Sequence, residues 1–262
     1  MDKDIVKNYT NFIIDKNVKS VKIISVVFFI LLMNLVIILL NDIDNNLNCW
    51  NGVFFVLGNK YIYILFFIGT YLLLLNYFII IDGNISKMII IRLNAKKNWL
   101  ACKLRIIVLT GLTYTVLFFS SLIFISIIIL GYQKNWSTYT LNGFDIYTKF
   151  HISLTPFQSL GIYLIRCFLV LLVIGFLQVM LKTITKNHNE GLVNAIIFIY
   201  LLMNLVMNLH NIPLLRYISI VNSNINFYHE ILQYLFSFLH LILVIYLEKY
   251  VSIYFAKGVE FI

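Results

Sequence analysis

Apolar residues gather in six long runs, each bounded by polar clusters. The runs span about Ile23–Leu40, Tyr61–Ile81, Ile106–Leu130, Leu160–Leu181, Leu192–Leu209 and Ile231–Leu247. At about 1.5 Å rise per residue each matches a hydrocarbon layer near 30 Å. The pattern predicts an all-α, polytopic membrane protein with six transmembrane helices. Residues 1–20 are polar but patterned. Ile5, Tyr9, Phe12 and Ile13 recur at helical spacing, with Lys7, Asn8, Asn11, Asp15 and Lys19 around the rest of the wheel. That predicts an amphipathic helix on the membrane surface; the competing reading is a frayed tail.

The segments between the runs differ in kind. Residues 41–60 read as a loop holding Trp50, Gly52 and Gly58. Residues 82–105 form a long basic insertion between two strongly apolar runs. Residues 131–159 are polar and aromatic, and Asn142-Gly143 lies there between alternating β-prone residues, a tight-hairpin signal. Residues 211–230 hold Pro213 and a Ser/Asn cluster but are apolar enough to dip into the bilayer surface. The tail from Glu248 is short. The first run is followed by Asn-Asp-Ile-Asp-Asn-Asn and no small-residue cleavage site, so it reads as a retained span. The expected organisation is a single transmembrane domain over 1–262.

Composition supports the membrane class. The chain is 61% hydrophobic and 12% charged over 262 residues, beyond what a soluble domain of this size buries. Its net charge of +9 would suggest nucleic acid in a soluble protein. Here the charge sorts by loop. The N-terminal segment, residues 82–105, residues 182–190 and the tail hold 15 of the 20 basic residues; the opposite loops hold 4. The positive-inside rule then places both termini and the 82–105 connector in the cytoplasm. The expected location is a bacterial cell membrane, crossed several times.

The search for chemistry is mostly negative. The sequence has no phosphate-binding G-x-x-x-x-G-K-[ST] loop, so the chain is not expected to hydrolyse ATP. His229-Glu230 is followed by Gln233, one ligand short of a zinc protease motif, and no metal site is expected. There is no Gly-x-Ser-x-Gly elbow. Cys49, Cys102 and Cys167 are too far apart for a metal or redox pair. No catalytic residue and no cofactor on this chain are expected.

Polar residues inside the runs stand out instead. Arg166 lies about two turns inside its run. It either lines a substrate path or snorkels to the outer head groups, and the shallow depth favours snorkelling. Gln178, Asn76, Asn194, Asn204 and His240 read as hydrogen bonders between helices, each contributing about 0.6 to 2 kcal/mol. Arg166, Gln178, Asn204 and His240 are the candidates for a substrate path. The basic insertion carries Lys87, Arg92, Lys96, Lys97, Lys103 and Arg105, with Trp99 among them. It suits docking onto a soluble partner, with Trp99 as anchor inside a cationic rim. Equally, it could fix topology and touch lipid head groups.

The layout resembles the permease subunit of an ABC-2 type ATP-binding cassette exporter. The most specific residues are Ile91-Arg-Leu-Asn-Ala-Lys-Lys-Asn-Trp-Leu-Ala-Cys-Lys-Leu104, similar to an Arg-Leu-x-x-x-Lys-x-x-Trp-x-x-x-Lys arrangement of small Firmicute permeases. The resemblance implies that 82–105 forms a coupling helix seated in the ATPase. Arg92, Lys96, Lys97, Trp99 and Lys103 would make that contact, and Pro213–Asn226 would form re-entrant outer helices. It also implies a pair of ABC ATPase subunits as partners, holding ATP and Mg, and a second permease, identical or related. The implied cargo is an amphipathic peptide such as a bacteriocin, lantibiotic or toxin, or a lipid-like compound. The rival from another class is a stand-alone immunity protein that sequesters a peptide without ATP. An intramembrane enzyme is the weakest reading, because no catalytic set is found.

Overall fold

The computed structural model describes residues 3–18, 21–39, 47–59, 61–80, 96–137, 154–185, 190–209 and 231–258. Within them the chain is helical. The elements are α1 (Lys3–Val18), α2 (Val21–Leu39), α3 (Cys49–Gly58), a π-helical stretch (Ile62–Ile68) running into α4 (Gly69–Ile80), α5 (Lys96–Leu130), α6 (Pro156–Thr185), α7 (Glu190–Leu209) and α8 (Ile231–Gly258). Helix suits such apolar runs because it satisfies every backbone group within its own segment. The hairpin signal at Asn142-Gly143, the outer segment Pro213–Asn226 and most of the 82–105 connector, Arg92 included, lie outside the described residues.

Three helices among the described residues are long and apolar enough to cross a membrane: Asn98–Leu130, Pro156–Ile184 and Leu235–Phe255. A fourth crossing is reached if Cys49–Gly58 and Ile62–Asn76, bent by 92°, act as one span. Ser25–Leu39 and Leu192–Asn204 are apolar but shorter. The expectation of six spans is thus met by three or four. Several long apolar helices still suggest a multi-pass membrane protein.

Two corrections concern helix ends. Residues 41–60 are not simply a loop, because α3 occupies 49–58. Asn48 caps it: its side chain accepts from the Trp50 amide, and the Asn51 side chain accepts from the Asn48 amide at 3.1 Å. Trp50, Val53, Phe54, Val56 and Leu57 are buried, so the segment is core. Asn59 then starts the next helix, its side chain accepting from the amides of Tyr61 and Ile62. At the far end of the chain, α8 continues through the expected tail to Gly258.

Local signals also set α5 and α6. Helix α5 stops at Gly131, whose φ of +75° is open to glycine at little cost. The Gly131 carbonyl accepts from the Cys49 amide at 3.0 Å, tying the end of α5 to the start of α3. Helix α6 begins with Thr155-Pro156-Phe157-Gln158. The Thr155 hydroxyl accepts from the Gln158 amide, and the Gln158 side chain accepts from the Thr155 amide. Proline at the first helical position costs no hydrogen bond there.

The core lies between the π stretch, α4, α5 and α6. Phe67 stacks on Tyr63 at 5.2 Å and meets Phe118 edge-on at 4.8 Å. The Tyr114 hydroxyl of α5 donates to the Phe67 carbonyl at 2.7 Å and is also hydrogen-bonded to the Thr70 hydroxyl. The single Thr70 proton is shared between the Tyr114 hydroxyl oxygen and the Phe66 carbonyl. Hydroxyls therefore engage two carbonyls where the helical ladder departs from α register, a known cause of local rewinding. Gly175 of α6 faces Ile107 and the Tyr71 hydroxyl; a Cβ there would lie 2.4 Å from Ile107 Cγ2. Close helix approach at small residues is how membrane helices gain packing that lipid cannot supply.

Candidate functional site

The Lys96 end of α5 is where the candidate docking residues fall. Helix α1 packs across it. Val6 and Cys102 are buried together, with Tyr9, Trp99 and Ala101 around them. One turn along, Ile13 and Ile106 form a second contact with Tyr9 and Leu74. The Cys102 thiol points at the Val6 carbonyl at 3.7 Å. The amphipathic helix expected over residues 1–20 exists, but its buried stripe is Val6, Thr10 and Ile13, while Phe12 is 61% exposed. Small residues on α5, Ala101 and Cys102, leave room for that stripe and set its rotation.

Trp99 is therefore part of this joint, and Lys103 lies beside it. Trp99 is half-buried, and Lys103 is only 4% exposed. The Lys103 Nζ stands 5.9 Å from the centre of the Trp99 ring, a cation–π distance. Lys96 and Lys97 open α5. Sequence spacing brought Trp99 and Lys103 onto one face, one turn apart. It could not show that α1 packs beside Trp99.

Arg166 is in α6, roughly 15 Å from its Pro156 end by helical rise. Snorkelling to lipid head groups would leave its guanidinium exposed, yet the residue is 3% exposed. The snorkelling preference is corrected. Arg166 lies instead within electrostatic reach of Tyr63 and Cys167. Tyr163, one turn before it, packs on Phe54 at 5.4 Å. Arg166 is thus a buried cation on α6, one turn from a Tyr163–Phe54 ring contact.

Gln178 is the centre of a second polar contact. Its Nε2 donates to the Asn76 Oδ1 of α4 at 2.5 Å and to the Asn194 Oδ1 of α7 at 3.3 Å. One buried amide thereby joins three helices, as the sequence led us to expect for these residues. The Asn204 Nδ2 donates to the Tyr200 carbonyl of its own helix at 2.8 Å. His240 is half-buried on α8. Arg166, Gln178, Asn204 and His240 are thus spread over three helices.

Sequence reasoning missed the cluster that locks the opposite end of α5. The Trp50 indole donates to the Gln133 carbonyl at 2.7 Å, and Asn48 donates to the Gln133 side chain and the Asn135 carbonyl. The Trp136 indole donates to the Leu154 carbonyl at 2.8 Å. The signal available was two tryptophans flanked by Asn and Gln in polar segments. Glu248 was missed too: assigned to the tail, it is buried on α8. Among the described residues no group of three or more His, Cys, Asp or Glu could hold a metal ion.

No family model, no curated protein and no solved structure matches the chain.

Proposed function

We propose that the chain is the membrane-spanning permease subunit of an ABC-2 type exporter. It would move an amphipathic peptide or a lipid-like compound out of a bacterial cell, driven by a separate pair of ATPase subunits. In this reading α2 and α7 complete six spans, both termini face the cytoplasm, and the 82–105 segment couples to the ATPase. Two permease chains, identical or related, enclose the path.

The observation that carries the reading is α5. It runs unbroken for 35 residues from Lys96 to Leu130, with α1 strapped across its basic end. A push on such a rod is transmitted along its length rather than absorbed at a hinge. An ATPase moves it only by binding two of its positions unequally. Trp99 packs at the contact that holds α1 to the rod. Arg92, Lys96 and Lys97 are left as the contact candidates.

Capture of ABC ATPases by the detergent-purified chain tests this. Arg92→Glu is expected to weaken capture about tenfold, equivalent to roughly 1.4 kcal/mol. Trp99→Ala is expected to loosen α1 and weaken capture less. Unchanged capture by both folded variants would remove the docking assignment. Labelling of a cysteine at position 97 from outside the cell would overturn the orientation. Full protection of cells against a peptide by this chain alone would favour the ATP-free immunity reading.

A further inference from the structure

Glu248 lies inside the apolar stretch Leu235–Phe255 of α8 and is 7% exposed. Its Oε2 is buried with no hydrogen-bond donor. Ser252, one turn on, gives its hydroxyl to the Glu248 backbone carbonyl at 2.7 Å, so it does not serve the carboxyl. Helix α7 brings Tyr200 within electrostatic reach of Glu248, and Tyr200 is hydrogen-bonded to the Asn204 side chain.

Cations do not complete the site. On α8 itself Lys249 is exposed and His240 is about two turns away. Helix α6 carries Lys182 in its last turn, and α5 carries Lys103, held over Trp99, and Arg105 near its start. Among the described residues none of these forms an ion pair with Glu248. An ionised carboxylate buried in an apolar stretch, with no donor or counter-ion to its Oε2 among the described residues, is strongly unfavourable. A proton removes that charge, and it is the one cation that needs no cavity to arrive.

We propose that Glu248, a buried carboxyl on the inward stripe of α8, is a proton-binding site within the membrane. Loaded, the neutral acid can stay buried in the apolar interior and donate its O–H. Unloaded, the charge draws water or a cation toward it. This goes beyond the transport reading and does not depend on it.

Infrared spectroscopy of the full chain in dodecyl maltoside, a detergent without a carbonyl, tests the assignment. The chain has four glutamates, Glu190, Glu230, Glu248 and Glu260. At about pH 7, well above the ordinary glutamate value near 4.3, a protonated-carboxyl stretch is expected. Glu248→Gln should erase it. Glu248→Asp, which keeps the acid but moves it, should shift it, so the assignment does not hang on one variant. Absence of the band from the unmodified protein at that pH would overturn the proposal. So would a band that neither substitution changes.

Discussion

Helices α6 and α8 pack along each other but keep different company. In the most apolar window of α6, 61% of residues are buried; in that of α8, 22% are. Val170 to Ile174 of α6 are all buried, surrounded by neighbouring helices. Helix α8 turns only one stripe inward, Ser237, Leu241, Glu248 and Ser252, and exposes Leu239, Leu243, Tyr246, Tyr250 and Tyr254. Small and polar groups face the protein while large apolar and aromatic groups face out. In water this would be inverted. In lipid, the outward face already has an apolar solvent, so burial of bulk gains little, and close contact and hydrogen bonds decide which face packs.

That contrast can be broken at its tight end first. Gly175→Leu on α6 forces a side chain against Ile107 and the Tyr71 hydroxyl. Overpacking of this kind costs about 1–3 kcal/mol, read as a lowered unfolding midpoint in detergent. Gly161→Leu on the same helix, where nothing lies within 4 Å of the added Cβ, is expected to leave the midpoint in place. An equal loss in both variants would show that the notch at Gly175 is not what makes α6 central.

The polar contact of α6 predicts a smaller effect. Gln178→Leu and Asn76→Leu, combined in a double-mutant cycle, are expected to show a coupling of about 0.6–1.7 kcal/mol. Strict additivity would mean that the amide pair carries no stability. The smallest effect belongs to the outer face of α8. Tyr250→Leu is expected to change stability by about 0.5 kcal/mol or less. A loss several times larger would mean that this face is packed against another molecule, and the contrast between the helices would then describe the isolated chain only.

Some of this was legible from side-chain spacing. The amphipathic period of residues 1–20 is real, but its rotation was off by about one position because α5, not the membrane alone, selects the buried stripe. Gln178, Asn76 and Asn194 could be read as hydrogen bonders, since an amide in an apolar run needs a partner. Asn204 could be read the same way, and one of its bonds goes to a carbonyl one turn back. Residues 41–60 looked like a loop because Asn and Gly dominate its ends, although Asn48 is a helix cap. Glu248 was assigned to the tail because the apolar run breaks at it, and a run's end is not a helix's end.

The order of residues by itself determined that the backbone would form long apolar helices, which suggest a multi-pass membrane protein, because within lipid such runs satisfy their amides internally. It also determined where helices start and stop at Asn48, Gly131 and Thr155, since caps act within a few residues. Only the tertiary structure decided which face of each helix meets protein, that α1 packs beside Trp99, and that Arg166 and Glu248 are enclosed. Those choices depend on fit between surfaces far apart in the chain, and hydropathy is blind to fit when solvent and neighbour are equally apolar.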